Sequence, residues 1–206
     1  MASPIAHSFA GFWTFLLLTA QSGRWVVAQW LPYLLKLAVL VFLANLPDLD
    51  FFLQFGVHAN ELHRGFTHSL VAAIVVSLGL SCLWRIIPGF WRSALLYFIA
   101  YGSHLLIDLC TGTRLGWTHT GYGIPLLWPW GQEFTSPLVV VFGVRHKNLS
   151  ALFSIDNLWS CAYELVFFGA ITLILLALWT RKQKARTPRP GPATSAARQP
   201  ELLYHK

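Results

Sequence analysis

Long apolar segments separated by short polar ones dominate the pattern of this chain. Apolar runs occur at about residues 8–22, 26–46, 69–88, 92–111 and 161–180. Since an α-helix needs about 20 mostly apolar residues to cross a bilayer, these runs have about the length of membrane spans. The pattern therefore predicts an all-α, polytopic membrane bundle of about five transmembrane helices.

The end of the chain breaks this pattern. Residues 181–206 are basic and rich in proline and alanine, and they offer little apolar surface to bury. Such a composition is typical of disorder. We therefore expect one membrane-embedded domain over residues 1–180, followed by a disordered tail over residues 181–206. The first run follows no positively charged segment, so we expect it to remain as an anchor rather than to be cleaved as a signal peptide.

The few charges suggest an orientation. Only 11% of the residues are charged, 55% are hydrophobic, and the formal net charge is +7. Because basic loops stay in the cytoplasm, the tail and the turns near residues 24 and 85–92 are expected there, with the N-terminus outside. The basic charge favours contact with anionic membrane lipids, and we expect no nucleic-acid partner.

Acids and histidines gather at the ends of the apolar runs. His7 precedes the first run, Asp48 and Asp50 follow the second, His68 precedes the third, and Asp108 lies near the end of the fourth. Ionisable groups are costly inside a membrane, so those beside a span are candidates for function. Counting the spans between these residues places all of them at one membrane face, which the charge pattern makes extracytoplasmic.

His104 and Asp108 lie four residues apart in the segment YGSHLLIDLCT. On a helix this spacing puts both side chains on one face, about 5–6 Å apart at Cβ, which suits chelation of one cation. The alternative is a hydrogen-bonded pair that stabilises the helix bundle.

Asp48 and Asp50 follow Pro47, which ends the second run. On an extended turn, two acids two residues apart could both point at one centre, and two nearby carboxylates favour a cation between them. Either could bind the metal while the other orients a ligand histidine. The alternative is a turn that ends the helix, or a cap.

The segment HRGFTHS carries His63 and His68 on either side of Gly65, with Thr67 and Ser69 as candidate caps for the next helix. Arg64 lies between the two histidines, where a guanidinium group could grip the oxygens of an anionic substrate. The alternative for Arg64 is an anchor to lipid headgroups.

The loop 112–158 is polar and aromatic. Trp128 and Trp130 are typical of an interfacial aromatic belt, and they could also line the path by which an amphiphile enters. His119, Glu133 and His146 have no ligand-like spacing, so we interpret them as surface residues.

Several common catalytic motifs are absent from the sequence: a Gly-rich phosphate loop, a nucleophile elbow, HExxH and CxxC. Their absence argues against most NTPases, serine hydrolases and zincin proteases. The acid and histidine motifs instead predict a metal site, with the following candidate ligands: His7, Asp50, His63, His68, His104 and Asp108.

The chain resembles the YdjM-like family of bacterial membrane-bound metal-dependent hydrolases. The resemblance rests on the early His7, LPDLD at 46–50, HRGFTHS at 63–69, SHLLIDL at 103–109 and LLWPW at 126–130, and it covers roughly residues 1–180. It implies an inner-membrane protein with metal-dependent hydrolase activity. A more distant similarity to zinc-dependent phospholipases C implies a related His and Asp ligand set. This chain lacks a second, downstream H-x-x-x-E/D pair, which favours one or two ions over three.

We therefore expect one or two divalent ions to activate water for hydrolysis of a phosphoester in a lipid or lipid-linked substrate. Zinc is favoured, with Mn or Fe as alternatives. Asp48 and Arg64 are the expected catalytic residues, with Arg64 neutralising charge on the phosphoryl group. Arg64, Trp128 and Trp130 are expected to contact the substrate. The alternative functions are a divalent-cation transporter and a noncatalytic membrane protein with a structural metal site.

Overall fold

The computed structural model describes residues 2–22, 30–50, 65–144 and 154–186. These residues are mostly helical. The helices are α1 (Pro4–Ser22), α2 (Trp30–Asn45), α3 (Leu70–Leu83), α4 (Phe90–Leu109) and α5 (Ile155–Arg186), and two 3₁₀ turns cover Leu46–Leu49 and Phe66–His68. Each 3₁₀ turn lies directly beside a helix end, so both belong to the connections rather than to the bundle itself.

Helices α1 and α4 form the centre of the bundle. Helix α1 packs against α2, α4 and α5, and α4 also packs against α2 and α3. The beginning of α1 lies beside the end of α4, and the segment before α3 reaches the same place. The first turn of α1 also contacts α5 near its start. One end of the bundle therefore collects termini from several helices.

Local sequence explains where the helices stop. Helix α2 ends at Asn45, directly before the 3₁₀ turn that contains Pro47, whose ring lacks the N–H that a continuing helix needs. Ser69 caps α3, because its side chain accepts a hydrogen bond from Ala72 N–H at 3.1 Å. This confirms Ser69, one of the two caps predicted from the sequence, whereas Thr67 donates to Asp50 instead. Gly89, with φ +100°, allows the turn into α4.

Helices α1 and α2 approach closely around Gly11. Their contact continues into a buried apolar cluster that includes Phe15, Leu40, Leu43 and Tyr97. A Cβ atom at Gly11 would lie 2.6 Å from the Cα of Val41, which is closer than packed atoms come. Small residues at such crossings let helix backbones pack directly in membrane proteins.

Four short strands interrupt the predicted all-α pattern between α4 and α5. Strand β1 (Thr111–Gly112) pairs in parallel with β4 (Val141–Phe142), and β2 (Gly116–Trp117) pairs antiparallel with β3 (Leu138–Val139). The same segment is tied to the beginning of α3, since Leu70 N–H donates to the carbonyl oxygen of Leu126 at 2.9 Å. Residues 111–144 therefore cover this end of the bundle.

Two helical segments in the described part of the chain are long and apolar enough to cross a membrane: Leu31–Leu49 and Ile155–Lys182. The five-span arrangement is thus not confirmed. Helix α3 has only 14 residues, and α4 carries buried Ser93, His104 and Asp108 among its 20 residues. Helix α5 continues to Arg186, past the boundary predicted at residue 180. The predicted tail from residue 187 onward lies outside the described residues, and its disorder stays a prediction.

The close approach at Gly11 can be tested by adding one methyl group. We expect Gly11→Ala to lower the free energy of unfolding by about 1–3 kcal/mol, because the methyl group must push α1 away from α2. Gly79→Ala is the matched control, since an added Cβ on exposed Gly79 meets nothing within 4 Å. Thermal unfolding in detergent measures both. Equal midpoints for the two variants would contradict the α1–α2 contact.

Candidate metal centre

Four side chains meet where the helices end. Asp48 comes from the 3₁₀ turn after α2, His68 from the 3₁₀ turn before α3, and His104 and Asp108 from the last turns of α4. One ligand atom from each lies within 4.8 Å of the others. The side chains of His68, His104 and Asp108 are buried, whereas that of Asp48 is 21% exposed. The structure thus places a group of His and Asp side chains that could hold a metal ion.

The separations among these atoms match a tetrahedral site. His68 Nε2 lies 3.2 Å from His104 Nε2. Asp48 Oδ1 lies 3.5 Å and 3.6 Å from these two nitrogens, and Asp108 Oδ2 lies 3.6 Å and 3.5 Å from them. Ligands held tetrahedrally at zinc bond lengths lie about 3.3–3.4 Å apart. These five separations are therefore close to those of a site of this geometry.

The orientation of His104 is fixed from its far side. Its Nδ1 lies 2.9 Å from the carbonyl oxygen of Ala44, in the last turn of α2. Because a carbonyl only accepts, Nδ1 must carry the proton, and Nε2 presents its lone pair to the centre. The Ala44 carbonyl is free for this contact because the last carbonyls of a helix have no partner within it.

His68 is held in a comparable way. Its Nδ1 lies 3.1 Å from Thr67 Oγ1 and 3.6 Å from Asp50 Oδ2. The Thr67 hydroxyl donates a hydrogen bond to Asp50 Oδ2 at 2.7 Å, so the Thr67 oxygen can accept a hydrogen bond from His68 Nδ1. Tyr101 donates to the backbone oxygen of Thr67 at 2.6 Å, which fixes this turn. His68 Nε2 therefore also presents a lone pair to the centre.

When both histidines are neutral, these tautomers leave four acceptors facing one another. Asp48 Oδ1 and Asp108 Oδ2 are buried and have no hydrogen-bond partner within the described ranges. Such a group is stable only with a positive charge inside it. Burial acts to lower the pKa of His68, but the carboxylates of Asp48 and Asp50 outweigh it and raise the pKa to about 9.

His7 extends the group on a second side. Its ring stacks on His104 with centroids 3.7 Å apart. Its Nε2 lies 3.7 Å from Asp48 Oδ2 and 3.6 Å from Asp108 Oδ1, the carboxylate oxygens that face away from His68. Both ring nitrogens of His7 are buried without a hydrogen-bond partner among the described residues. His7 could therefore serve as a further ligand beside the outer oxygens of the two carboxylates.

The sequence leaves open which of the two acids after Pro47 binds the metal, although Asp50 is named among the predicted ligands and Asp48 as a catalytic residue. The structure brings Asp48 into the group and places Asp50 behind His68. The reason is the backbone. Side chains two residues apart lie on the same side of an extended chain. On a 3₁₀ helix, which has three residues per turn, they point about 120° apart.

The remaining candidates either lie outside the described residues or belong to the loop after α4. His63, Arg64 and His146 lie outside the described residues, so their proposed roles stay predictions. Trp128 and Trp130 are 40% and 69% exposed.

Trp128 packs edge-on against Phe66, two residues before His68, with centroids 5.1 Å apart. It therefore borders the turn that supplies a candidate ligand. His119 and Glu133 are exposed, as interpreted from the sequence.

The sequence assigns no role to two further groups near the site, the Ala44 carbonyl and Glu164. The Ala44 carbonyl has no signature of its own, although its place just before Pro47 marks it as a free acceptor. Glu164 is fully buried on α5 and reaches the beginning of α1. Its signal was visible, because it is the single charged residue in the last apolar run.

Comparisons with known proteins agree with a membrane setting. A family model described as YdjM inner membrane protein matches residues 1–186. The inner membrane protein YbcI of Escherichia coli (strain K12) is 38% identical over 109 residues, which cover 49% of this chain and 58% of YbcI. No solved structure matches the chain. Since the family model spans most of the sequence, the protein belongs to the YdjM inner membrane protein family.

Proposed function

We propose that this protein is a membrane-bound hydrolase that depends on a divalent metal ion and cleaves a phosphoester in a lipid or lipid-linked substrate. The observation that carries the proposal is the convergence of four lone-pair donors, two imidazole nitrogens and two carboxylate oxygens, at one end of the bundle. A divalent ion bound there supplies Lewis-acid chemistry, which polarises a phosphoryl oxygen and activates water.

The donor set favours zinc among the divalent ions. Two imidazoles and two carboxylates at tetrahedral separations suit zinc, whereas calcium and magnesium prefer six or more oxygen ligands. Mn or Fe would also accept these donors. His7 and the outer oxygens of Asp48 and Asp108 provide for a second ion or, with one ion, for a nearby proton acceptor.

The surroundings support a substrate drawn from the membrane. The family is one of inner membrane proteins, and two helical segments are apolar enough to cross a bilayer. Exposed Trp128 and Trp130 lie on the loop beside the His68 turn, where they would contact lipid or substrate. Arg64, next to Gly65 in the sequence, would neutralise charge on the phosphoryl group. We assign the site to the extracytoplasmic face of a multi-pass protein with a cytoplasmic tail.

A structural metal site is the second candidate, and the burial of His68, His104 and Asp108 favours it. In that case the ion would only join the helix ends. A divalent-cation transporter predicts ligands midway along the helices. The four residues lie at or beyond helix ends instead, so we do not propose transport.

The metal site itself predicts a bound ion in the purified protein. Detergent-purified wild-type protein should carry one or two equivalents of a divalent metal by mass spectrometry. His104→Ala and Asp108→Asn should each lower the content by more than about tenfold, because each removes a ligand. His119→Ala is the control, since His119 is exposed and lies apart from the group. Metal-free wild-type protein purified without chelators would overturn the proposal.

The two acids after Pro47 should behave differently. Asp48→Asn removes a charged ligand, whereas Asp50→Asn changes only a group that orients His68. Asp50→Asn should therefore weaken metal affinity by roughly 10–100-fold, as other outer partners do, and Asp48→Asn should weaken it more. Titration of the metal-free proteins with zinc compares them. A larger loss in Asp50→Asn would show that the sequence-based choice of ligand was better.

An assay for phospholipid hydrolysis distinguishes a catalytic metal site from a structural one. Wild-type protein in mixed micelles of defined phospholipids should release phosphate-containing headgroups, lose this activity with a chelator and regain it with zinc. Asp108→Asn should be inactive at matched folding. A structural ion predicts another result: the chelator lowers the unfolding midpoint, and no phospholipid or lipid-linked phosphate is cleaved.

A further inference from the structure

Glu164 is a buried acid in an apolar setting. It lies on α5, within the segment Ile155–Lys182 that could cross a membrane, and none of its surface is exposed. A carboxylate there is costly unless its oxygens find good donors, and such residues usually serve a function. Glu164 is not one of the four grouped residues. We therefore look to its hydrogen-bond partners for its function.

Those partners are the free donors at the beginning of α1. Glu164 Oε1 accepts a hydrogen bond from Ser3 N–H at 2.9 Å, and Oε2 accepts from Ala6 N–H at 3.3 Å and from the hydroxyl of Ser3. The first N–H groups of a helix have no partner within it, and a negative charge is favourable beside them. Glu164 therefore caps α1 from a different helix.

The capped turn, residues 3–6, lies between two groups that contact the metal centre. Directly before it, Ala2 N–H donates to Asp108 Oδ1 at 2.9 Å, which orients this carboxylate. Directly after it, His7 stacks on His104 and faces the outer oxygens of Asp48 and Asp108. A shift of residues 3–6 would thus move a hydrogen-bond donor and an imidazole together.

We propose that Glu164 is a positioning residue of the metal centre: by clamping the first turn of α1 onto α5, it sets Ala2 N–H against Asp108 and His7 over the two carboxylates. This inference rests on the proposed metal function. It assigns α5 a part in that function, although α5 supplies no atom to the four-residue group.

Attachment of α1 to α5 does not by itself require Glu164. Trp13 Nε1 donates to Thr172 Oγ1 at 2.8 Å, and Trp13 and Phe9 both pack against Phe168. These contacts lie farther along both helices, away from the capped turn. The structure thus contains a control for general α1–α5 packing that leaves the first turn of α1 unchanged.

Titration of the full-length, metal-free protein with Co²⁺ alone tests the inference, because visible absorption reports both affinity and coordination geometry. Glu164→Gln should weaken Co²⁺ binding by about tenfold and change the absorption band, as loss of an outer partner does. Ser3→Ala, which removes one donor to Glu164, should act in the same direction with a smaller effect. It remains informative if Glu164→Gln does not fold. Thr172→Val should lower the thermal midpoint and leave the affinity within about twofold.

The outcomes distinguish the two claims. Wild-type protein that binds no Co²⁺ would overturn the proposed function and this inference with it. Wild-type binding with unchanged affinity and spectrum in Glu164→Gln and Ser3→Ala would overturn the inference alone. An equal loss of affinity in Thr172→Val would also overturn it, since the effect would then follow general α1–α5 packing.

Discussion

The meeting of four electron-pair donors in a buried space is the constraint on which this end of the molecule depends. Each imidazole is turned so that its protonated nitrogen points outward, toward Ala44 O for His104 and toward Thr67 Oγ1 for His68. The inward atoms therefore repel one another and the two carboxylates. Desolvating a single ionised group costs several kcal/mol even after relaxation. Only a positive charge at the centre offsets these terms, and a divalent ion does so for all four ligands at once.

Helix ends make such a centre feasible in an apolar chain. The interior of a helix has no spare backbone donors or acceptors, whereas its first N–H groups and last carbonyls are free. Here the carbonyl of Ala44, from the last turn of α2, orients His104, and the N–H of Ala2, just before α1, orients Asp108. The groups that position the ligands thus come from termini that would otherwise need water. A site midway along the same helices would have to position its ligands with side chains alone.

The sequence predicts the parts of this site that follow from periodicity. His104 and Asp108 share a helix face because four residues make about one turn. The motifs around Asp48 and His68 reach the same end because they flank neighbouring apolar runs. The sequence does not decide whether Asp48 or Asp50 joins the group, since that depends on whether the turn after Pro47 is extended or 3₁₀.

Long-range pairings are harder to predict from one sequence. Strands of two residues, such as Thr111–Gly112 with Val141–Phe142, form between segments about 30 residues apart and leave no pattern of alternation. The contact of Glu164 with Ser3 joins positions 161 residues apart. A lone acid in an apolar run indicates that a partner exists, but only the packing of α5 on α1 identifies it.

The uneven burial of the ligands bears on whether the ion is structural or catalytic. A structural zinc site is closed by four protein ligands, whereas a catalytic one leaves a position for water or substrate or expands to five ligands. Three of the four side chains here are fully enclosed, and Asp48 alone reaches the surface. Among the described residues, the exposed part of Asp48 is the side of the group from which a substrate would approach a bound ion. A catalytic ion here would therefore need either movement of Asp48 or a fifth coordination position on that side, whereas a purely structural ion would need neither.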